Sequence, residues 1–445
     1  MKLTLDDIRY CLEGSIPAVI STCARDGIPN VAYISQAYYV DARHVALSFQ
    51  FFNKTRINIL DNPWATLLVL HPVTAQFYRL HIRYLRTESE GPLFEGMKAQ
   101  LAGIASHSGM ADVFRLRGSD VYEVREIEEV AGEPLPAPPP RSGVLGAVRR
   151  GSERLSRCTS LGEALNCVLA TLSDFLGVRH AMVLLLDPAT QRLYTVASCG
   201  YATSGVGSEI EMGDGVIGVA ARERTPVRIR HMTQAYLYSR AVRSSLRADA
   251  PDLALHTDIP YPGLAEPHSQ MAVPVESSGR LLGVLFVESP DEQQFSYEDE
   301  DALVALAGHL GAAIELMQTN DETGEAAAAI GDVPAATGAA LQLRHFAINH
   351  SVFINDVYLI KGVAGAIFWR LVKDYAQQGR TEFSNRELRL DPSIQLPDVS
   401  DNLEARLLLL QRRLIEHGPH IRMEKTGRGR FRLVVQRPLE FGDDS

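Results

Sequence analysis

Lys54, Thr55 and Arg56 stand where an apolar strand pattern ending at Ser48–Gln50 gives way to a helical one that stops at Asn62-Pro63. A strand-to-helix junction presents free backbone N–H groups, and here it adds a hydroxyl and two cations. That set is what a phosphate group requires. Asn58 follows one helical turn after Lys54, on the same side of the helix. As an ordinary surface helix start, the same residues would only cap and solvate.

The elements that would hold this corner are short strands. Apolar runs at 16–24, 29–39, 44–50, 65–70, 77–90 and 120–126 are separated by tight turns such as Arg25-Asp26-Gly27 and Asp41-Ala42-Arg43. A short helix is expected over 4–13. This spacing predicts a small antiparallel barrel. No carboxylate stands at telling distance from His71, His81 or His107, so the sequence offers no acid–base pair here, and no catalytic residue is assigned.

The run SFQFFNKTRINILDNP, followed by an apolar strand, together with the opening PAVISTCARDGIPNVAYIS, resembles the pyridoxamine-phosphate-oxidase-like FMN-binding split barrels over about residues 5–128. The resemblance implies FMN at a homodimer interface. Its phosphate would lie at Lys54, Thr55 and Asn58, and its ring along Ser35, Ser48 and Gln50.

The middle of the chain reads differently. Leu161, Leu165, Val168, Leu172 and Phe175 give a helical stripe over 161–176, and strands are expected at 181–186 and 193–198. The glycines of GDGVIGVA match neither a P-loop nor a dinucleotide fingerprint. With QMAVPV, GRLLGVLFVES and a closing helix after FSYED, they resemble a GAF domain over about 155–318. The resemblance implies an antiparallel sheet with helices behind it and a small-molecule pocket beneath a lid. The lid would be residues 231–268, with Tyr236, Tyr238, Tyr261, His231, His256 and His268, and its ligand is unknown. Leu303, Leu306, Leu310, Ile314 and Met317 line one face of the closing helix, which suits pairing across a dimer.

The last segment predicts a hairpin over 345–360 turning at Asn355-Asp356, a helix over 362–378, a second helix from Ser384, and a third capped by Asp401 with Glu404. A hairpin at 421–425 and 430–435 closes it. This order resembles the winged-helix effector domain of response-regulator transcription factors, over about 345–436. The resemblance implies that Arg406, Arg412 and Arg413 of the third helix, and Arg428 and Arg430 of the wing, contact double-stranded DNA. Arg389 would add a backbone contact. Leu408 and Leu409 depart from that pattern and suit packing against a protein partner.

Composition sets the frame. The 445 residues are 46% hydrophobic and 22% charged, with a net charge of −10 and five scattered cysteines forming no C-x-x-C pair. These values exclude a disordered chain, a disulfide framework and a structural zinc site, and point to a reducing cytoplasm. No apolar run is long enough for a membrane span. Residues 341–445 carry 16 Lys/Arg against 13 Asp/Glu, so the basic excess gathers at one end of an acidic chain, as a polyanion partner would require. AGEPLPAPPPR and the low-complexity stretch 319–340 read as linkers.

The expectation is therefore a multidomain α+β chain: a split β-barrel (1–130), a proline-rich linker (131–142), a GAF α/β sandwich with an antiparallel sheet (143–318), a linker (319–340) and a winged helix-turn-helix (341–440). Its expected role is a cytoplasmic, homodimeric signalling and transcriptional regulator that senses a flavin redox state or a small-molecule effector. Two alternatives stay open: an FMN-dependent oxidoreductase regulated by its GAF domain, and a protein-interaction scaffold with degenerate ligand sites.

Overall fold

The computed structural model describes residues 3–13, 16–50, 54–107, 116–135, 143–230, 259–321, 338–392, 394, 403–427 and 429–442. The chain is a multidomain α+β protein whose sheets are almost wholly antiparallel.

The N-terminal strands are β1 (Ala18–Cys23), β2 (Pro29–Ile34), β3 (Ala37–Asp41), β4 (His44–Phe49), β5 (Trp64–Leu70), β6 (Phe77–Glu88) and β7 (Gly118–Glu129). They form one sheet in the order β2-β1-β5-β6-β7-β4-β3 around a core of residues such as Ile20, Leu47, Ile59, Leu67 and Ile82. Three expectations are corrected here. The run 29–39 is two strands, and the break at Ser35-Gln36 sends β2 and β3 to opposite edges of the sheet. The expected first helix is a single 3-10 turn at Arg9–Leu12. Between β6 and β7 runs a helix that the strand pattern had hidden. Thus α1 is Lys54–Asp61 and α2 is Pro92–His107.

The middle segment opens with α3 (Val144–Leu155) and α4 (Leu161–Leu176). Ser160 caps α4 by accepting the Glu163 N–H, and Gly177 ends it at φ +66°, a left-handed conformation glycine adopts without strain. The strands β8 (His180–Asp187), β9 (Arg192–Cys199), β10 (Glu209–Glu211), β11 (Val227–Ile229), β12 (Ser269–Ser277) and β13 (Arg280–Ser289) join in the order β10-β9-β8-β13-β12-β11. Two further helices are α5 (Gly215–Glu223) and α6 (Tyr297–Asp321).

One face of this sheet is covered by α4 and α6, with α3 packed on those two helices. Leu303, Leu306, Leu310 and Ile314 of α6 lie buried within that layer, so the stripe expected to pair across a dimer packs inside the protomer. The period-3.6 pattern is the same for either partner. The other face is covered by α5 and by α2 from the N-terminal segment. Ala99 of α2 is fully buried among Val216, Val219, Val227 and Phe286.

The C-terminal segment places β14 (Leu341–Phe346), β15 (Ser351–Ile354) and β16 (Val357–Ile360) in a sheet that the short strand β20 (Leu439–Phe441) joins in parallel beside β14. Asn355 and Asp356 turn the β15–β16 hairpin with φ +49° and +66°. Helices α7 (Gly362–Gln378), α8 (Asn385–Leu390) and α9 (Leu403–His417) follow. Strand β17 (Glu382–Ser384) pairs with the closing hairpin β18 (Ile421–Gly427) and β19 (Arg430–Val435). Asp401, the expected cap of α9, lies outside the described residues. Among the described residues no helix is long and apolar enough to cross a membrane.

Candidate functional site

Strand β4 turns into α1 beside β7, and this junction builds a cavity of about 110 Å³. Ser35, Ser48, Gln50, Thr55, Arg56 and Asp120 line it. Four of the residues expected at a flavin, Ser35, Ser48, Gln50 and Thr55, thus meet in one place. The side-chain oxygens of Ser48 and Gln50 are buried without a hydrogen-bond partner. A buried polar atom left unsatisfied costs about 1–3 kcal/mol, so this wall is built for hydrogen bonds it does not make with the protein itself.

The phosphate corner differs from expectation. Thr55 accepts a 2.9 Å bond from the Asn30 amide, and Asn58 is buried and donates to the Thr22 hydroxyl at 3.1 Å. Both hold α1 against β1 and β2. Asn58 lies behind the cavity rather than in it. Lys54 is exposed at the first turn of α1. Arg56, the second cation of the expected phosphate corner, points inward and is ion-paired with Asp120. Asp120 also accepts from Thr87 at 2.5 Å, and Thr87 in turn meets Tyr84 at 2.7 Å. Burial pushes the Asp120 carboxyl up, against the pull of Thr87 and Arg56. The sequence signal for Arg56 was its place two residues after Lys54. What it could not show was Asp120, 64 residues away.

The donor set fits a flavin nucleotide in kind. Hydroxyls and an amide stand along the wall and a free-standing cation, Lys54, stands at the helix start. In size the cavity is smaller than the roughly 300–1,000 Å³ typical of ligand sites. It opens beside Tyr33, which lines it and is 82% exposed.

Several large apolar side chains on these elements are exposed. Val31 and Tyr33 point outward from β2, Ile57 and Leu60 from α1, and Trp64 from β5. Exposed apolar side chains on an edge strand and on the helix and strand near it are a surface that a partner could cover.

The barrel joins the central sheet through buried charge. Glu13 is 4% exposed and takes Arg230 at 2.9 Å and Arg228 at 3.3 Å. Arg228 also pairs with Glu300 at 2.7 Å. The Arg9 guanidinium lies over the rings of Tyr297 (4.0 Å) and Tyr39 (4.6 Å). The Gln36 amide donates to Gln100 of α2 at 2.6 Å, and Gln100 donates to the Glu13 carbonyl at 2.7 Å. This network was missed because its members are far apart in sequence and none belongs to a motif.

Of the residues expected in the lid, 231–258 lie outside the described residues, Tyr236, Tyr238, His231 and His256 among them. His268 stands 3.7 Å from Glu292. His81 lies with Glu126 and Glu128 on one face of the β6–β7 pair, and Arg79 already neutralises Glu128 at 2.9 Å.

The expected DNA-contacting residues divide. Arg430 starts β19 and is half-buried, Arg428 lies outside the described residues, and Arg389 lies in the last turn of α8. Arg406, Arg412 and Arg413 do not face solvent together. Arg406 is 5% exposed and paired with Asp187 at 3.0 Å, Arg412 donates to Asn166 at 2.9 Å, and Arg413 donates to the Leu359 carbonyl at 3.0 Å.

Residues 4–125 match the profile of the pyridoxamine 5'-phosphate oxidase family, and residues 158–315 that of the GAF domain. The chain therefore carries an N-terminal pyridoxamine-phosphate-oxidase domain and a central GAF domain. No curated protein matches the chain. Among solved structures, the GAF domain of an Acinetobacter phosphoenolpyruvate-protein phosphotransferase is 22% identical, covering 42% of this chain and 99% of that one, with a TM-score of 0.32. An FMN-binding protein from Syntrophomonas wolfei is 19% identical over 29% of this chain and 86% of that one, with a TM-score of 0.25. A free methionine-R-sulfoxide reductase from Neisseria meningitidis is 22% identical over 40% and 91%, with a TM-score of 0.31. Likenesses of this size carry no inference about activity.

Proposed function

We propose that this chain is a cytoplasmic, homodimeric regulator with two input domains and one output. The N-terminal domain binds FMN or a related phosphorylated ligand, the GAF domain takes a second small molecule, and residues 341–440 act as a winged helix on double-stranded DNA. The observation that carries the input half is the pair of unpartnered oxygens of Ser48 and Gln50 on the wall of one cavity. Ser35, Ser48 and Gln50 would bond the ring edge. Lys54, with the α1 backbone held in place by Thr55 and Asn58, would hold the phosphate. A flavin there supplies electron-transfer chemistry that asks little of the surrounding side chains.

The exposed apolar side chains of Val31, Tyr33, Ile57 and Leu60 support the homodimer, because a second copy seated on them would enlarge and close the site that one protomer leaves small. The net positive charge of residues 403–437, nine Lys/Arg against three Asp/Glu, supports a polyanion at the output.

The deciding experiment is a visible spectrum of freshly purified protein, followed by titration of the colourless form with FMN. A bound flavin spectrum supports the reading, and turnover of a reductant would shift it to the oxidoreductase alternative. A colourless protein whose intrinsic fluorescence is unmoved by excess FMN overturns the flavin part.

A further inference from the structure

The third C-terminal helix carries apolar residues on every side, and one face of it has found a partner within the chain. Leu408 lies so close to Gly162 of α4 that a β-carbon there would meet its Cδ1 at 3.4 Å. Leu409 and Arg413 stand against Gly207, 3.7 and 3.6 Å from where a β-carbon would lie. Between these apolar contacts the cations of α9 meet the GAF sheet. Arg406 pairs with Asp187 at the end of β8 and lies over the Tyr194 ring at 4.6 Å. Arg412 donates to the Val196 carbonyl of β9 and to Asn166 of α4. Glu416 accepts from the Ser204 hydroxyl, and Lys361, just before α7, pairs with Glu209 of β10 at 3.2 Å.

This is a built interface. It has apolar packing at its centre, a nearly buried Arg–carboxylate pair, a carbonyl that takes a guanidinium, and ion pairs at its rim. Its chemistry on the α9 side is the chemistry a nucleic-acid phosphate would use. One guanidinium cannot serve Asp187 and a phosphate at once.

We propose that the GAF face formed by Asn166, Asp187, Tyr194 and Val196 is an intramolecular dock for α9, and that docking and duplex binding by α9 exclude each other. The proposal rests on the winged-helix reading above for its second half only. The GAF domain then controls the output by holding or releasing one helix, and a change in its sheet edge or in α4 is read out as freedom of α9.

Two variants of the full chain test this. Asp187→Lys places like charge against Arg406. It should raise amide hydrogen exchange over 403–417 about tenfold and tighten binding of a labelled duplex of roughly 30 base pairs at low salt by about tenfold. The second variant, Ser204→Cys with Glu416→Cys, replaces the hydrogen bond between α9 and the GAF domain by two thiols, with bond formation on oxidation verified by the loss of free thiol and the fold by circular dichroism. Its oxidised form should lose duplex binding and regain it on reduction, with the oxidised parent chain as control for the native cysteines. Should α9 loosen in Asp187→Lys while no form of the protein binds duplex, the dock stands and the nucleic-acid reading falls. Exchange over 403–417 as slow in Asp187→Lys as in the parent, or equal duplex binding by the oxidised and reduced cysteine variant, overturns the dock.

Discussion

Glu13, which directly follows the 3-10 turn Arg9–Leu12, accepts a 2.9 Å bond from Arg230, which follows the edge strand of the GAF sheet, and both are buried. With Arg228 and Glu300 they form a charged joint between two domains that share no linker at this point. Beside it, Ala99 of α2 sits inside the apolar cluster on the GAF sheet, and Lys98 pairs with Glu223 of α5 at 3.2 Å. The barrel is thus the cover of one GAF face. Gln36, which follows the cavity residue Ser35, is linked through Gln100 to the backbone of Glu13. A ligand that shifts the Ser35-Gln36 break bears directly on the joint.

Glu13→Gln removes the charge that two buried arginines share. Breaking a buried pair of this kind costs about 3 kcal/mol or more, because the cations are left uncompensated. The variant should unfold in two steps, barrel and GAF separately, where the parent loses both together. Calorimetry of the two proteins decides it, and a single unshifted transition in Glu13→Gln would show that the joint contributes nothing.

How much of this was legible beforehand depends on what each signal encodes. Helices 161–176 and 362–378 match their expected bounds, because stripe and terminator agree: Ser160 and Gly177 bracket the first, and Gly379 at φ +66° ends the second. The cavity residues Ser35, Ser48, Gln50 and Thr55 were also found in the sequence, from the family likeness rather than from periodicity. Three things were not legible. Helix α2 had a start signal in Pro92 and an apolar pair in Met97 and Leu101, but its glycine and alanines make sense only against the GAF sheet. The stripe of α6 announces a buried face without saying who buries it. The arginines of α9 announce positive charge, and a carboxylate 219 positions earlier is as good a partner as a phosphate.

Acidification should weaken the fold through His71. Its Nδ1 accepts the N–H groups of Val73 and Thr74 at 3.2 and 3.1 Å, which only the neutral ring can do. Burial, with Arg230 adding to it, holds its pKa below the ordinary 6.5, and Glu13 opposes them. The unfolded chain therefore binds the proton first. The contribution is whole above about pH 6.5 and is lost as pH falls from there through the lower native value. The melting temperature should drop between about pH 7.5 and about pH 5.5, and His71→Asn should flatten that dependence. Equal slopes for the two proteins would remove His71 from the account.

The exposed apolar side chains of β2 and α1 predict the oligomeric state. Tyr33→Asp places a charge on the exposed face of the edge strand β2 without touching the barrel core, since Tyr33 is already 82% exposed. Light scattering after size exclusion should show the parent as a dimer and the variant as a monomer with an unchanged circular dichroism spectrum. A parent that runs as a monomer denies the face its proposed partner.

Lys54 separates a flavin nucleotide from a flavin. In the proposed site the exposed cation at the first turn of α1 would meet only the phosphoryl end of the ligand, while Ser35, Ser48 and Gln50 would meet the ring. A charge-assisted hydrogen bond is worth about 1.5–3 kcal/mol, so Lys54→Ala should weaken FMN binding by about tenfold or more. Riboflavin, which has no phosphate, should bind the parent and the variant alike. Ser48→Ala should do the opposite in kind, weakening both ligands by a similar factor, because it removes a ring contact they share. Binding measured by quenching of flavin fluorescence gives all six constants. If Lys54→Ala weakens riboflavin as much as FMN, the lysine acts on the shape of the site and the phosphate lies elsewhere, with Arg56 freed from Asp120 as the cation left to hold it.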